Sequence, residues 1–145
     1  MRNLKLLYTA ALILVSVLVH AQDLPLTVVS NSKGAPEEMK FTSLKSVLRG
    51  EKLRWPDGTK ITIALMKTNT PGGSSICRKI YNMSADELNK YWLALVFQGK
   101  GQAPVFFNSA SELEAFIAQT PGAIGITTST GGNTRTVSVD GKKTL

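Results

Sequence analysis

Histidine and cysteine are almost absent from this 145-residue sequence, which contains one of each, His20 and Cys77. His20 lies in an N-terminal segment that we expect to be removed, so the remaining chain has no imidazole to act as a general base. This argues against Ser-His-Asp and Cys-His catalysis. It also argues against a Cys/His zinc site, and one cysteine cannot form a disulfide within the chain. We predict a protein that is not an enzyme, uses no metal or cofactor, and buries Cys77 as a structural thiol.

Long apolar runs are scarce, and the prominent one lies at the start of the chain. Arg2 and Lys5 precede the 14-residue run Leu6–Val19, and the small residue Ala21 follows shortly after. A membrane-spanning helix needs about 20 apolar residues, so this run is too short to span a bilayer comfortably. The pattern predicts a secretory signal peptide at residues 1–21, and the mature chain, residues 22–145, is expected to be soluble and periplasmic.

Concentrated charge of one sign is missing as well. The sequence has 17 basic and 10 acidic side chains, for a formal net charge of +7. No basic run alternates with aromatic residues as nucleic-acid binding would require, so we predict no nucleic-acid partner. The excess suits an anionic partner weakly and a solvated basic surface better, because it is scattered. Examples are Lys33, Lys40, Lys45, Arg49, Lys52, Arg54 and Lys60.

Three apolar segments are typical of β-strands: Leu24–Val29, Ile61–Met66 and Ala123–Thr127. The second is apolar enough to be buried on both faces. Before it, Trp55–Gly58 has proline and glycine in the positions of a type I turn. At the end of the chain, residues 134–145 with Asp140-Gly141 at the turn suggest a closing hairpin.

Three other segments show the apolar period of a helix. A short helix capped by Thr42 or Ser43 has the apolar positions Leu44, Val47 and Leu48. Capping boxes at Ser84–Glu87 and Ser109–Glu112 begin two more helices. The first box precedes an apolar stripe that we interpret as core, made by Leu88, Tyr91, Trp92, Leu95 and Val96. Helices alternating with strands predict a single α/β domain with a partly parallel sheet.

Two sequence patterns with catalytic connotations are better explained by coincidence. Ser30 and Lys33 match the S-x-x-K motif of serine acyl enzymes, but the S-D-N and K-T-G partners of that motif are absent. Glu112 and Glu114 lie two residues apart on a helix, so they point to different faces and cannot act as an acid–base pair.

A Gly/Ser-rich segment after the Ile61–Met66 strand is the strongest candidate site. We predict that residues 70–75 form a loop and that a helix follows through Tyr81. This would place the amides of Gly73, Ser74 and Ser75 at a helix N-terminus, which attracts anions. Arg78, one turn later, would supply a counter-charge. A simpler interpretation, in which Ser74 or Ser75 only caps the helix, remains open.

Several segments resemble the substrate-binding proteins of phosphate ABC transporters, especially short members with a type 2 periplasmic binding fold. The resembling segments, spread between residues 28 and 128, are Leu44–Gly50, Trp55–Gly58, Ile61 with its following Gly/Ser-rich loop, Tyr91-Trp92, Phe97–Pro104 and Thr120–Gly125. The resemblance implies a three-layer α/β sandwich with a mixed sheet, equivalent to one lobe of that fold. It further implies an exported protein that binds a small oxyanion such as phosphate and serves an ABC permease.

The resemblance also suggests which residues hold the anion. Family members place an arginine shortly before a Ser-Gly-Thr triplet that clamps phosphate; here Lys67 stands near the arginine position and Gly73–Ser75 near the triplet. Ser30 and Asn31, after the first strand, would form an opposite wall, because ligands of open α/β sheets collect beyond the carboxyl ends of strands. The alternative is an interaction or structural protein of the cell envelope that has kept the fold without the ligand.

Overall fold

The computed structural model describes residues 24–129 and 132–145, so the predicted signal peptide at residues 1–21 lies outside the described residues. No helix in the described part of the chain is both long and apolar enough to span a membrane. In chain order the elements are β1 (Thr27–Ser30), β2 (Glu38–Met39), α1 (Phe41–Leu48), β3 (Thr62–Met66), α2 (Pro71–Ile76), a π-helical segment (Cys77–Tyr81), α3 (Ala85–Phe97), β4 (Val105–Phe107), α4 (Ala110–Gln119), β5 (Ala123–Thr127), β6 (Arg135–Thr136) and β7 (Ser138–Val139).

Five strands form a mixed central sheet in the order β4-β3-β5-β1-β6. Strand β3 pairs in parallel with both β4 and β5. Strand β1 runs antiparallel to β5, with Thr27 opposite Thr127 and Ser30 opposite Ile124. The short strands β2 and β7 pair in parallel as a separate ribbon. The predicted mixed α/β sheet is therefore confirmed, and the direction of β1 decides which residues reach which edge.

Both faces of the sheet are covered, which gives three layers. On one face α4 packs directly on the sheet, since a Cβ on Gly125 of β5 would lie 2.9 Å from Ile117 of α4. On the other face Ile124 and Ile126 of the same strand are completely buried. All five residues of β5 are buried, as are four of the five in β3. The short continuous apolar strands of the sequence thus correspond to a core buried from two sides.

Two tyrosines, Tyr81 and Tyr91, donate hydrogen bonds to the backbone at the end of α1. The Tyr81 hydroxyl donates to the carbonyl oxygen of Leu48 at 2.6 Å, and the Tyr91 hydroxyl donates to that of Arg49 at 2.5 Å. Trp92 meets both tyrosine rings nearly edge-on, with centroids 6.4 and 5.3 Å away. Helix C-termini leave carbonyl groups without intrahelical partners, and here the tyrosines satisfy two of them.

Most predicted elements are present. The strands near residues 24–29, 61–66 and 123–127 are confirmed as β1, β3 and β5, and both capping serines accept a hydrogen bond from the amide three residues later. At Ser84 the box is complete, because Glu87 also accepts from the Ser84 amide. The turn at Trp55–Gly58 is confirmed by the hydrogen bond from the Gly58 amide to the Trp55 carbonyl oxygen.

Three local predictions are wrong. The N-cap of α1 is Lys40 rather than Thr42 or Ser43, because the Asp140 carboxylate, remote in sequence, accepts from the Phe41 amide at 3.3 Å. Val96, assigned to the core stripe, is 46% exposed. The closing hairpin reduces to a single bridge between Val139 and Lys142, because β6 pairs with β1 and β7 pairs with β2.

The two ends of the described chain meet. The Leu145 amide donates to the Leu26 carbonyl oxygen at 2.8 Å, and Lys79 Nζ donates to the Leu145 carbonyl oxygen at 3.2 Å. Leu26 immediately precedes β1, whose first residue pairs with the last residue of β5. Leu26 and Leu145 therefore lie at the edge where β3 and β5 finish.

Candidate functional site

The connection from β3 to α2 is a tight turn built around the carbonyl oxygen of Lys67. This oxygen accepts hydrogen bonds from the amide of Thr70 at 2.9 Å and from its hydroxyl at 2.6 Å. The Lys67 amide in turn donates to Phe107 of β4 at 2.9 Å. The backbone of Lys67 is thus fixed on both sides, while its side chain is exposed at the carboxyl end of β3.

Helix α2 begins earlier than the sequence suggests. The prediction of a loop at residues 70–75 is wrong, because the helix starts at Pro71, with Thr70 as the N-cap. The Thr70 hydroxyl accepts from the Gly73 amide at 3.0 Å, and proline at the first helical position loses no hydrogen bond there. Thr70 is therefore the helix cap, and the simpler interpretation that assigned this role to Ser74 or Ser75 is also wrong.

This earlier start changes what the Gly/Ser segment offers a ligand. The Gly73 amide is taken by Thr70 Oγ1, and the Ser74 amide donates to the Thr70 carbonyl oxygen at 2.9 Å. Ser75 is buried inside the helix. The prediction that these three residues present free amides is wrong for Gly73 and Ser74, because both amides already donate hydrogen bonds to oxygen atoms of Thr70.

The π-helical segment carries the predicted counter-charge. Arg78 is exposed, and at about 1.5 Å per helical residue it lies roughly 10 Å along the axis from Pro71. Its neighbour Cys77 is buried, as predicted, and burial raises the pKa of this thiol. The structure therefore places Lys67 just before α2, which contains Gly73, Ser74 and Ser75, and Arg78 lies further along the same helical stretch.

Ser30 and Asn31 lie at the opposite edge of the sheet, so their predicted role as the second wall of this site is wrong. Because β1 is antiparallel, its end is level with the start of β5, where the Asn31 amide donates to the Ala123 carbonyl oxygen. At about 3.3 Å per strand residue, this places Ser30 about 13 Å from the level of Lys67. The rule that ligands collect beyond carboxyl ends holds for parallel strands, which β1 is not.

These two residues have structural surroundings. Asn31 Nδ2 donates to the carbonyl oxygens of Ile117 and Ala118 at 2.9 and 3.1 Å, which caps the end of α4. Its Oδ1 accepts from the Lys33 amide. The Ser30 hydroxyl is fully buried and has no hydrogen-bond partner among the described residues. Neither side chain is available to a solute at the carboxyl edge.

Residues that the sequence did not single out complete the surroundings of Lys67. Lys67, Thr68 and Asn69 line an open recess of about 420 Å³ together with Asn89 of α3 and Phe106 of β4. We call this the β3 recess. It combines one ammonium group with a hydroxyl and two side-chain amides, and none of its lining residues is acidic. From the sequence, only the position of the β3 recess at the carboxyl end of a buried strand could be predicted.

A buried carboxylate lies near the end of the neighbouring strand β5. Glu114 of α4 is 5% exposed, and its Oε1 accepts from Ser129 Oγ at 2.6 Å and from Thr127 Oγ1 at 3.2 Å. The Ser129 amide also donates to Thr127 Oγ1. Among the described residues, no group of histidine, cysteine and acidic side chains could hold a metal ion. Glu114 thus fixes the backbone that leaves β5.

Comparisons with known proteins give structural matches alone. No protein-family model matches the sequence, and no curated protein matches it. Among solved structures, PstS from Borrelia burgdorferi matches with a TM-score of 0.59 at 16% identity, over 81% of this chain and 48% of that one. An ABC-type phosphate transport receptor from Vibrio cholerae matches with a TM-score of 0.64 at 12% identity, over 83% and 48%.

A third match carries a ligand. A Clostridium perfringens protein assigned as a phosphate ABC transporter substrate-binding protein, solved with bound phosphate, has a TM-score of 0.59 at 11% identity, over 81% of this chain and 46% of that one. The chain thus spans about half the length of the structures it matches. It has the mixed α/β fold of one lobe of a phosphate-binding-protein-like structure.

Proposed function

We propose that this chain is an exported, periplasmic solute-binding protein that recognises a small oxyanion, with phosphate as the first candidate, and that it serves an ABC transporter. The observation that carries this proposal is the fold shared with PstS and with two proteins named for phosphate transport, one of them solved with bound phosphate. The proposal assigns no catalytic step to the chain.

We place the anion in the β3 recess. Lys67 supplies the positive charge, and Thr68, Asn69 and Asn89 supply neutral hydrogen-bond donors. These groups suit an oxyanion, which accepts several hydrogen bonds and one charge-assisted contact. A recess without a lining carboxylate adds no repulsion to an anion.

The Gly/Ser segment contributes to this proposed site mainly by shaping it. Gly73 lets α2 approach the Lys67 carbonyl oxygen, which keeps the lysine at the mouth of the recess. Ser74 is half-buried one turn before Arg78, so these two residues form a second, more distant set of polar groups. We therefore expect Lys67 to matter more than Arg78 or Ser75.

The affinity should be modest because the recess is open to water. Each charge-assisted hydrogen bond contributes about 1.5–3 kcal/mol, and neutral ones contribute about 1 kcal/mol. One such contact with a few neutral bonds corresponds to a dissociation constant of micromolar at best. Added salt should weaken binding, since exposed charges are screened over about 10 Å at 0.1 M ionic strength.

Isothermal titration calorimetry with phosphate, sulfate and acetate at low ionic strength tests the proposal. Lys67→Ala should weaken phosphate binding about tenfold or more, which is at least about 1.4 kcal/mol. Lys142→Ala, which removes an exposed lysine that does not line the recess, should leave binding unchanged. Equal affinities for the wild type and Lys67→Ala would place the anion elsewhere.

Export is tested separately by N-terminal sequencing of the protein recovered from the periplasm. A mature product that begins near Gln22 supports the predicted cleavage after Ala21. A product that begins at Met1 in the membrane fraction contradicts it. The permease partner is tested by whether phosphate uptake in the source organism falls when this gene is deleted.

A second candidate function is an envelope interaction protein that has kept the fold without a ligand. Its specific support is the exposed apolar surface of α3, where Phe97 is 83% exposed. If a correctly folded preparation binds none of the oxyanions, this alternative replaces the solute-binding proposal.

A further inference from the structure

Three large apolar side chains near the end of α3 face solvent. Leu93, Val96 and Phe97 are 59%, 46% and 83% exposed, and their spacing puts them on one side of the helix. We call them the α3 stripe. Single exposed apolar residues are ordinary, but a contiguous group commonly marks an interaction surface. The inner side of α3 is already used, with Leu88 and Trp92 buried in the core.

The α3 stripe borders the edge of the central sheet. Asn89 of α3 and Phe106 of β4 line the same recess, so this side of α3 adjoins β4. Leu93 and Val96 follow Asn89 by four and seven residues and therefore continue the same side. Strand β4 is the edge strand, paired only with β3 among the described residues. The apolar side of α3 and the outer edge of β4 thus flank the same recess.

Several lysines and an arginine lie near the C-terminal half of this surface, while Asp86 lies on the same side of α3 in its first turn. Lys90 and Lys100 are exposed on either side of the α3 stripe along the chain. Beyond the end of α3 lies a second recess of about 340 Å³, which includes Leu53 and Val105 and is also lined by Lys52, Arg54 and Lys60. We call this the basic recess. None of the residues that line the basic recess is acidic, so the C-terminal end of the α3 stripe adjoins a cationic recess.

We propose that the α3 stripe and the free edge of β4 bind an acidic, apolar segment of another protein in extended conformation. An added strand would pair with the backbone of β4, apolar side chains would contact Val96 and Phe97, and carboxylates would reach the cations of the basic recess. A second copy of this chain suits the surface poorly. A two-fold contact would bring the same cations of both copies together.

The test uses a synthetic probe, a capped peptide of about eight residues in which valine and glutamate alternate, long enough for one strand. Its titration into ¹⁵N-labelled protein should shift the amide resonances of residues 93–97 and 105–107. The double variant Val96→Ser/Phe97→Ser should weaken binding tenfold or more, and both positions are exposed, so the fold should persist. Shifts confined to other residues, or no binding, would overturn the proposal.

Charge variants distinguish specific binding of the acidic peptide at the basic recess from its general attraction to a positively charged protein. Lys52→Glu, in the basic recess, should weaken peptide binding at least threefold, whereas the control Lys142→Glu, which lines neither the basic recess nor the β3 recess, should not. A peptide that alternates valine with lysine should not bind; equal binding of both peptides would contradict the proposed charge complementarity. The double variant Val96→Ser/Phe97→Ser should leave phosphate binding unchanged, because neither residue lines the β3 recess, and this separates the two proposals.

Two other occupants are recognised by their own results. Sedimentation that shows a concentration-dependent dimer, lost in Phe97→Ser, would replace the proposal with self-association. Binding to vesicles of anionic phospholipid that requires Phe97, without binding to the acidic peptide, would replace it with a membrane surface.

Discussion

Gly73 lies so close to Lys67 that a Cβ atom on residue 73 would be 1.9 Å from the Lys67 carbonyl oxygen. That oxygen also accepts both hydrogen bonds from Thr70. The turn between β3 and α2 is therefore closed around one backbone atom, and a residue without a side chain is required where the helix passes it.

The substitution Gly73→Ala should open this turn. We expect the free energy of unfolding to fall by about 1–3 kcal/mol, the usual cost of overpacking, and phosphate binding at Lys67 to weaken with it. Gly72→Ala is the control, because its closest neighbour is the Thr128 methyl group at 3.1 Å, which is a side-chain atom. Urea denaturation of both variants measures the difference. Equal urea midpoints for Gly73→Ala and Gly72→Ala would contradict the expectation that a side chain at residue 73 collides with the Lys67 carbonyl oxygen.

Asn31→Ala should lower stability without affecting oxyanion binding. The substitution removes both hydrogen bonds from Asn31 to the end of α4, and the expected loss is about 1–3 kcal/mol because each hydrogen bond contributes about 0.5–1.5 kcal/mol. Ser30→Ala, at the neighbouring position, removes a hydroxyl that has no hydrogen-bond partner among the described residues and should cost little. Calorimetric titration with phosphate accompanies the denaturation series. If Asn31→Ala bound phosphate more weakly than the wild type while its stability was unchanged, Asn31 would belong to the oxyanion site.

Tyr81→Phe should destabilise the protein by about 1–3 kcal/mol, because the buried Leu48 carbonyl oxygen loses its donor. Tyr91→Phe is the matched comparison and should cost less, since Tyr91 is only partly buried. Thermal denaturation monitored by circular dichroism gives both values. A larger loss for Tyr91→Phe would show that the contact with Arg49 carries more of the stability.

Tyr81 also predicts a pH dependence. Burial raises its pKa above the ordinary value, so the folded protein retains the protonated hydroxyl where the unfolded chain, with a pKa of about 10, ionises. Its contribution is complete below pH about 10 and is lost as the pH rises further. Urea denaturation between pH 8 and 11 should show a fall in stability that is shallower in Tyr81→Phe. Parallel slopes for the two proteins would contradict this.

Cys77 should be unreactive in the folded protein. The thiol is 3% exposed and burial raises its pKa, so both access and thiolate formation are reduced. At pH 8 a thiol-specific reagent should label the native protein at least tenfold more slowly than the protein in urea. Fast labelling of the native protein would mean that the segment around Cys77 opens readily.

The central strands could be predicted because Ile61–Met66 and Ala123–Thr127 are continuous apolar runs. The capping boxes could be predicted because Ser84 and Ser109 each lie three residues from a glutamate. The α1 cap could not, since Asp140 is 99 residues away from Phe41 in sequence. Contacts of that range depend on the assembled fold, which local propensity does not contain.

The residues of the candidate site also divide into those whose place in the fold the sequence predicted and those that it misplaced or missed. Lys67 was predicted from the resemblance to phosphate-binding proteins, and in the structure it lies at the carboxyl end of β3. Ser30 and Asn31 were misplaced because a strand sequence carries no information about its direction in the sheet. Asn89 was missed because a polar residue on the outer side of an amphipathic helix is ordinary until the neighbouring strand is known.

The hydrogen bond between Leu145 and Leu26 brings the two ends of the described chain together. The order of the segments along the chain can therefore be changed without changing the fold. A linker of a few glycine and serine residues could join residue 145 to residue 24, and new ends could be opened at the exposed turn around Gly58, where a Cβ on that residue would have no neighbour within 4 Å. Such a circular permutant would keep β3, α2 and the β3 recess in their present places. It would also release the carboxyl edge of the sheet from the chain ends, so that a reporter domain could be attached on the far side of the molecule.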